Sequence, residues 1–302
     1  MISSAIRADG LTKYYGPVVA IEDLSFQVER GETYGFLGAN GAGKTTTIRL
    51  LLDLVRPARG TAAILGVDCH RSSLAARKLV GYLPGELPIY PDLSAAGYLD
   101  YLRALDGRPV ADGHLRHLLE RFDVSGVDLQ RRLRDQSHGM KRKIGIVQAL
   151  MGRAPVIILD EPTAGLDPLM IQAFSETLAD LKRQGDTTVF LSSHVLAEVE
   201  STCDRIGVVR GGHMVTVGTV EELKRKAPRH VKVEFTGSVP VELPSIPGVT
   251  VRSSTSTAFV VEVRGPLGPL LQALAAYPIH DVHEEPFRLE DYIVQFYASR
   301  ES

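Results

Sequence analysis

The sequence contains the segment Gly38-Ala39-Asn40-Gly41-Ala42-Gly43-Lys44-Thr45, which matches the phosphate-binding pattern G-x-x-x-x-G-K-[ST] at every fixed position. The apolar run Thr33–Leu37 before it predicts a buried strand. The segment after it, Thr45–Val55, carries apolar residues at helical spacing and predicts a helix. A strand, a glycine-rich loop and a helix in this order favour a nucleotide site over a plain turn.

Each fixed position of the loop has a predicted role. Its glycines predict a backbone with positive φ that aims successive N–H groups at phosphate oxygens, at a helix N-terminus that already attracts anions. We expect Lys44 to reach the β- and γ-phosphates of a nucleotide and Thr45 to place its hydroxyl on Mg²⁺. The other candidate nucleotide contacts here are Gly38, Asn40, Gly41, Ala42, Gly43 and Thr46.

Composition narrows the functional classes. The chain has 302 residues, of which 44% are hydrophobic, enough for one large α/β domain and a small one. Its formal net charge of −2 argues against a nucleic-acid partner. The two cysteines, Cys69 and Cys203, are far apart and predict free thiols in a reducing compartment. Without a run of ~18–20 apolar residues or a signal-peptide core, we expect a soluble, cytoplasmic protein.

The segments around the loop predict further strands. Ile6–Phe26 alternates short apolar runs with turn residues, which indicates a small antiparallel sheet. Tyr15 lies at a turn in this sheet and is a candidate to stack on a purine, the alternative being a ring packed on the sheet. Gly60–Leu65 and Leu79–Leu83 predict two more strands.

Beyond these strands the pattern becomes helical. Pro84–Pro91 predicts a loop, and Ser94–Gln136 a mostly helical insertion. Ser137 begins another predicted helix. On its own this serine is an N-cap and the run Lys141–Lys143 is a solvated face. The alternative is that the helix N-terminus, with Ser137 and Gly139, holds a phosphate group.

Polar residues follow two predicted strands where each strand ends. Val156–Leu159 is an uninterrupted apolar run, typical of a central parallel strand, and Asp160 and Glu161 follow it. His194 comes shortly after the strand Thr188–Leu191. Since open sheets bind ligands at this edge, we expect Asp160 to hold Mg²⁺, Glu161 to orient the attacking water and His194 to touch the γ-phosphate. A helix-capping role is the alternative for the two carboxylates.

In chain order these residues resemble the motif set of an ABC-type ATP-binding domain, over about residues 4–226. The resemblance implies the following assignments: an adenine platform at Tyr15, a Walker A loop at Gly38–Thr45, a Walker B strand and glutamate at Val156–Glu161, a D-loop at Ala164–Asp167 and a switch histidine at His194. It implies an α/β P-loop NTPase fold with a mixed central sheet, an N-terminal antiparallel subdomain and a helical subdomain at about 94–154. ATP and Mg²⁺ are the implied ligands, with Lys44, Glu161 and His194 catalytic.

Two regions depart from the family pattern. The signature region is Gln136–Met140, which keeps Ser137 and Gly139 and is similar to ATP-binding subunits of exporters for drugs, lipids or polysaccharides. In the Q-loop, Gly85 stands where the family has glutamine, and Glu86 follows. We expect Glu86, shifted by one position, as a candidate Mg²⁺ ligand. The alternative is that it points to solvent or pairs with a basic residue of a membrane partner.

The C-terminal part predicts a separate small domain. Apolar residues alternate in Val231–Phe235, Val249–Val251 and Phe259–Val263, as in strands. A leucine stripe predicts one helix and Arg288–Tyr297 a terminal one. We therefore predict an ABC domain over 1–228 and an accessory α+β domain over 229–302. Its ending is similar to exporter subunits in which this part is regulatory or supports the dimer.

The resemblance also implies partners. In the family, the signature of one protomer closes the ATP bound to the other, so a second copy or a paralogue is needed, with Ser137, Gly139 and Asp167 on that ATP. A separate transmembrane permease is expected to dock around Pro84–Tyr101, at the cytoplasmic face of the membrane. One alternative is a soluble ABC ATPase without a permease. Another is a switch that binds ATP without turnover, against which Glu161 and His194 argue.

Overall fold

The computed structural model describes residues 4–87, 90–108, 110–185, 187–237 and 245–285. The chain forms two compact units, Met1–Gly218 and Thr219–Ser302. The predicted boundary at residue 228 lies further along the chain, after the helix that opens the second unit. No helix within the described ranges is long and apolar enough to cross a membrane.

The first unit contains an antiparallel sheet with the strand order β2–β1–β4–β5. Its strands are β1 Ile6–Tyr15, β2 Val18–Val28, β4 Arg59–Ile64 and β5 Val67–Asp68. The predicted antiparallel sheet is therefore confirmed, and the strand predicted at Gly60–Leu65 belongs to it.

The central sheet of this unit has the order β10–β9–β3–β8–β7–β6, and the pairs from β9 to β6 are parallel. Its strands are β3 Thr33–Leu37, β6 Val80–Leu83, β7 Val156–Asp160, β8 Thr188–Ser193, β9 Arg205–Arg210 and β10 His213–Thr219. Every residue of β3, β7 and β8 is buried, as expected of strands covered on both faces. Because these strands are adjacent and parallel, their carboxyl ends meet at one edge.

An aromatic cluster packs the two sheets of the first unit together. Phe26 of β2 lies 5.7 Å from Phe190 of β8 and 5.5 Å from Phe36 of β3, measured between ring centroids. Tyr34 stacks on Phe190 at 5.9 Å. Burial of each such side chain contributes about 1.5–3 kcal/mol. The cluster therefore fixes β3 and β8, the strands from which two parts of the site emerge.

The helices of the first unit are α1 Lys44–Leu51, α2 Ser73–Lys78, α3 Ala95–Asp106, α4 Asp112–Arg121, α5 Gly126–Gln130, α6 His138–Met151, α7 Pro168–Gln184 and α8 Leu196–Thr202. Three of them, α3 to α5, form the predicted insertion, and Ser94 caps α3 by accepting a hydrogen bond from the amide of Gly97. The helix predicted to reach Val55 ends at Leu51 instead. Asp53 takes φ +53°, a left-handed conformation that does not continue an α-helix.

The second unit is a four-stranded antiparallel sheet with the order β12–β13–β11–β14. Its elements are α9 Val220–Lys226, β11 Arg229–Phe235, β12 Val249–Ser254, β13 Ala258–Val263, α10 Gly268–Leu274 and β14 Ile279–Glu284. Leu270 and Leu274 of α10 join the valines and phenylalanines of β11 and β13 in one core. The predicted strands and leucine helix are thus present. The helix predicted over Arg288–Tyr297 lies outside the described residues.

Candidate active site

The glycine-rich loop joins β3 to α1 and borders an open cavity of about 470 Å³. Gly41 and Gly43 have positive φ, as predicted, and a Cβ on Gly43 would lie 2.6 Å from the side chain of Ile21. The prediction of positive φ is wrong for Gly38. That position needs glycine for a different reason, because a Cβ there would lie 2.6 Å from the carbonyl oxygen of Val209.

The cavity gathers most of the predicted nucleotide contacts of the chain. Its lining consists of Tyr15, Val18, Val19, Ala20, Asn40, Gly41, Gly43, Lys44, Thr45, Thr46, Gly85, Glu161, Ala164 and His194. Tyr15 is 44% exposed, which leaves its ring accessible for stacking. Gly38 and Ala42 belong to the loop but do not line the cavity, and Ala42 is buried.

Lys44 is almost fully buried, with 6% of it exposed. Its Nζ donates hydrogen bonds to the carbonyl oxygens of Gly38 at 2.7 Å and Ala39 at 3.2 Å. It also forms an ion pair with Glu161 Oε1 at 3.1 Å. The ammonium group is therefore held in one place between the loop and the end of β7.

Glu161 joins the two other predicted catalytic residues. Its Oε2 lies 2.6 Å from His194 Nδ1, while its Oε1 contacts Lys44. Its amide donates to the carbonyl oxygen of Ser192 at 3.2 Å, and its φ is +51°, which is rare for a residue with a side chain. Such a backbone conformation persists only where the surrounding structure enforces it. Residues held in this way are common at active sites.

Asp160 ends β7 and is fully enclosed by protein. Its Oδ1 accepts a hydrogen bond from Ser192 Oγ at 2.6 Å, whereas its Oδ2 is buried and has no hydrogen-bond partner among the residues that the structure describes. A buried carboxylate oxygen left in this way needs a cation or water. Thr45, which is exposed in the cavity, supplies a second oxygen. Oxygen donors of this kind fit Mg²⁺.

The predicted signature residues lie outside the cavity lining. Ser137 caps α6 by accepting from the amide of Met140 at 3.2 Å, and Asp167 caps α7 by accepting from Met170 at 3.0 Å. Gly139 lies against Gly165, since a Cβ on it would be 3.0 Å from the Gly165 carbonyl oxygen. A single chain thus brings the phosphate loop together with Asp160, Glu161 and His194, but not with these three residues.

Glu86 does not line the cavity either, and it is exposed. Gly85 does line it, and a Cβ there would lie 3.2 Å from Asp160 Oδ2. This loop therefore approaches the buried carboxylate of Asp160 with its backbone and not with a side chain. The exposure of Glu86 favours the alternative in which it points to solvent or pairs with a membrane partner, and its role as a Mg²⁺ ligand stays a prediction.

We expect Glu86→Gln to leave the Mg²⁺ dependence of ATP hydrolysis by the isolated subunit unchanged, because the Glu86 carboxylate lies outside the cavity. The measurement is the Mg²⁺ concentration that gives half-maximal ATPase activity. Asp160→Asn is the matched variant in which this value should rise, since it removes the charge of the buried carboxylate. A higher value in Glu86→Gln itself would support Glu86 as a ligand.

The sequence interpretation missed Arg142. The run Lys141–Lys143 was expected to be solvated, yet only 3% of Arg142 is exposed, and its guanidinium reaches the ends of β6 and β7. Helical spacing contains the signal: Ile146 and Ala149, four and seven residues further on, are both buried. Arg142 therefore lies on the buried face of α6.

A phosphate loop after β3, with carboxylates at the end of β7 two strands away in the same parallel sheet, defines the class of P-loop nucleoside triphosphatases. The family model described as ABC transporter matches residues 21–164. The bacitracin transport ATP-binding protein BcrA of Enterococcus faecalis is 34% identical over 231 residues, covering 76% of this chain and 74% of that protein. The daunorubicin resistance ATP-binding protein DrrA3 of Streptomyces coeruleorubidus is 38% identical over 230 residues, covering 74% and 71%.

Solved structures give the same result. The structure of an ATP-binding subunit of an ABC transporter is 31% identical, with a TM-score of 0.67, over 74% of this chain and 92% of that chain. The dimeric structure of a bacterial ABC transporter cassette, at 19% identity, shares the fold with a TM-score of 0.63 over 71% and 98%. This chain belongs to the ABC transporter family, as an ATP-hydrolysing subunit of the exporter type. The family and fold predicted from the sequence are confirmed.

Proposed function

We propose that two copies of this chain close on two ATP molecules, with Mg²⁺, and that hydrolysis drives a separate membrane permease that exports a substrate. The observation that carries the proposal is the row of contacts from Lys44 through Glu161 to His194 along one wall of the cavity. An ammonium ion, a carboxylate and an imidazole in contact beside a phosphate loop are the groups that phosphoryl transfer to water requires.

ATP binding uses the two ends of the cavity. The ring of Tyr15 stacks on the adenine, and the amides of the loop bind the phosphates, together with the Nζ of Lys44. Thr45 and Asp160 are the residues that would hold Mg²⁺, which neutralises charge on the phosphates when bound. The buried, unpartnered Oδ2 of Asp160 supports this assignment.

Hydrolysis requires a water placed in line with the γ-phosphate. Glu161 orients this water and accepts its proton as the water oxygen bonds to the γ-phosphorus and the bond to the ADP oxygen breaks. His194 holds the other carboxylate oxygen and contacts the γ-phosphate. ADP and inorganic phosphate leave, and the proton leaves Glu161 for solvent.

The second copy completes the site. Ser137, Gly139 and Asp167 lie outside the cavity of their own chain, and two of them cap helix N-termini. Helix N-termini bind anions, so the α6 N-terminus of one chain closes on the γ-phosphate bound to the other. The dimeric architecture of the related cassette agrees with this arrangement.

The permease docks on the first unit around Pro84–Tyr101. Tyr90 and Tyr101 of this stretch are both exposed, with ring centroids 5.3 Å apart, and aromatic side chains are enriched at protein interfaces. Relatives named for bacitracin transport and daunorubicin resistance favour a drug-like substrate. The subunit then works at the cytoplasmic face of the membrane.

We expect the adjacent gene to encode a membrane protein with about six apolar spans of ~20 residues, and co-expression with that protein tests the proposal. We expect the two to co-purify in detergent, and the reconstituted complex to move substrate across vesicles only with ATP. The double substitution Tyr90→Ala and Tyr101→Ala should abolish co-purification while the isolated subunit keeps its ATPase activity. A chain that hydrolyses ATP but binds no membrane protein would instead be a soluble ABC ATPase.

A further inference from the structure

Arg142 lies in the second turn of α6, and its guanidinium is enclosed by backbone. Its Nη1 donates to the carbonyl oxygens of Pro84 at 2.8 Å and Gly85 at 3.1 Å, in the loop after β6. Its Nη2 donates to the carbonyl oxygen of Asp160 at 2.8 Å and to that of Glu161, and its Nε donates to that of Pro162 at 3.2 Å. One side chain thus binds two separate segments of the site.

The acceptors explain why a charged group is stable in this position. A buried guanidinium loses its hydration, and burial accordingly lowers the pKa of Arg142, while Asp160 and Glu161 raise it again. All three nitrogens of the group find carbonyl acceptors. Hydrogen bonds from a charged donor are roughly twice as strong as neutral ones. A lysine has one nitrogen and cannot reproduce the fork.

The contacts constrain the catalytic carboxylate through its own backbone. Glu161 has a φ of +51°, and a left-handed conformation at a residue with a side chain persists only where the surroundings enforce it. Arg142 binds the carbonyl groups on both sides of this residue as well as its own. The direction of the Glu161 side chain toward Lys44 and His194 therefore depends on Arg142.

The same contacts hold the loop after β6 in place. Gly85 lines the ATP cavity beside Asp160 Oδ2 but has no side chain with which to bind it. Its carbonyl group is bound by Arg142 instead. Arg142 thus links this loop to the end of β7 and to α6, the helix that begins after Ser137.

We propose that Arg142 is a positioning residue for ATP hydrolysis, which holds the Pro84–Gly85 loop, the backbone of Asp160 and Glu161, and α6 in one arrangement. The proposal rests on the proposed function, because it assigns Glu161 to the attacking water. Arg142 contacts neither the phosphate loop nor Tyr15 in the bonds described above. Its loss should therefore lower kcat much more than ATP affinity.

Arg142→Met tests this, because methionine keeps an apolar stem and removes every donor. We expect kcat for ATP hydrolysis to fall about 30-fold or more, which corresponds to about 2 kcal/mol, with KM changed less than about threefold. Arg142→Lys should be intermediate. Lys141→Gln is the matched control one residue away, with kcat within about twofold of wild type.

Chemical rescue separates positioning from a general loss of structure. In Arg142→Ala, millimolar guanidinium should raise kcat, whereas urea, which has the same shape without the charge, should not. Folding of each variant is checked by circular dichroism and by binding of a fluorescent ATP analogue. If Arg142→Met is unfolded, Arg142→Lys decides, and a folded lysine variant with wild-type kcat would overturn the proposal.

Other outcomes are equally decisive. Wild-type kcat in folded Arg142→Met, or a loss of ATP affinity as large as the loss of kcat, would refute a positioning role. Glu161→Gln is measured alongside, so that a failure of the positioning role can be distinguished from a failure of the proposed function. If Glu161→Gln is inactive and the Arg142 variants are active, only the positioning role fails, whereas a wild-type chain without ATPase activity refutes the proposed function.

Discussion

Lys44→Ala is expected to abolish productive ATP binding. The Nζ of Lys44 is buried and held by two loop carbonyl groups and by Glu161, so it is aligned before the phosphates arrive. Removal of one partner from a buried charge pair costs about 2–5 kcal/mol. A loss of about 2 kcal/mol already weakens binding about 30-fold. The variant also leaves the Glu161 carboxylate without its cation, next to the polyanionic phosphates. Titration with a fluorescent ATP analogue measures the effect.

Two further variants are titrated in the same way, one as a control and one as a comparison that conserves the charge. Lys78→Ala removes an exposed lysine at the end of α2 and should bind ATP as wild type does. Lys44→Arg keeps the charge but puts a bulky planar group into a site shaped for a compact ammonium ion, so we expect little recovery. Wild-type affinity and turnover in Lys44→Ala would show that the loop does not bind the phosphates.

The strand, loop and helix around Lys44 could be predicted because the signal is local. Apolar spacing gave β3, β7 and β8, and glycine chemistry gave the loop between β3 and α1. Contacts between distant parts of the chain could not be read in this way. Gly38 was predicted to have a positive φ. It must be glycine for another reason, because a side chain there would collide with the carbonyl group of Val209 in β9. The end of α1 was misplaced because the left-handed conformation of Asp53 has no strong local signal.

Arg142 is a clearer example of a position whose burial could not be predicted from local sequence. A basic residue between two lysines is usually solvated, and composition favoured that interpretation. Its burial depends on carbonyl groups at the end of β7 and in the loops after β6 and β7, which lie 18 to 58 residues away in the chain. Only helical spacing to Ile146 and Ala149 indicated the buried face.

The distribution of the site over two chains could be inferred only from the family resemblance. Within one chain, Lys44, Glu161 and His194 are in contact, while Ser137 and Asp167 cap helices outside the cavity. Local patterns identified both groups of residues but could not say that they meet across two copies. A variant that binds ATP without hydrolysing it is therefore the direct test of this division.

Glu161→Gln is expected to keep ATP binding and to lose about 10²–10⁴-fold of the hydrolysis rate, the usual contribution of a general base. The amide has the shape of the carboxylate and still offers one oxygen to Lys44 or to His194. It does not accept a proton from water. ATP therefore stays intact between two chains, and the closed dimer accumulates because the step that reopens it is blocked.

Two measurements check this variant. Hydrolysis is followed as phosphate release, and size-exclusion chromatography with ATP and Mg²⁺ should show a dimer that wild type forms only transiently. Glu176→Gln on the exposed side of α7 is the control, with a wild-type rate and elution. Normal hydrolysis by Glu161→Gln would transfer the orientation of water to His194, whose Nδ1 lies 2.6 Å from the altered group. Slow hydrolysis without a dimer would contradict the shared site, since the two-chain arrangement requires that trapped ATP hold both chains together.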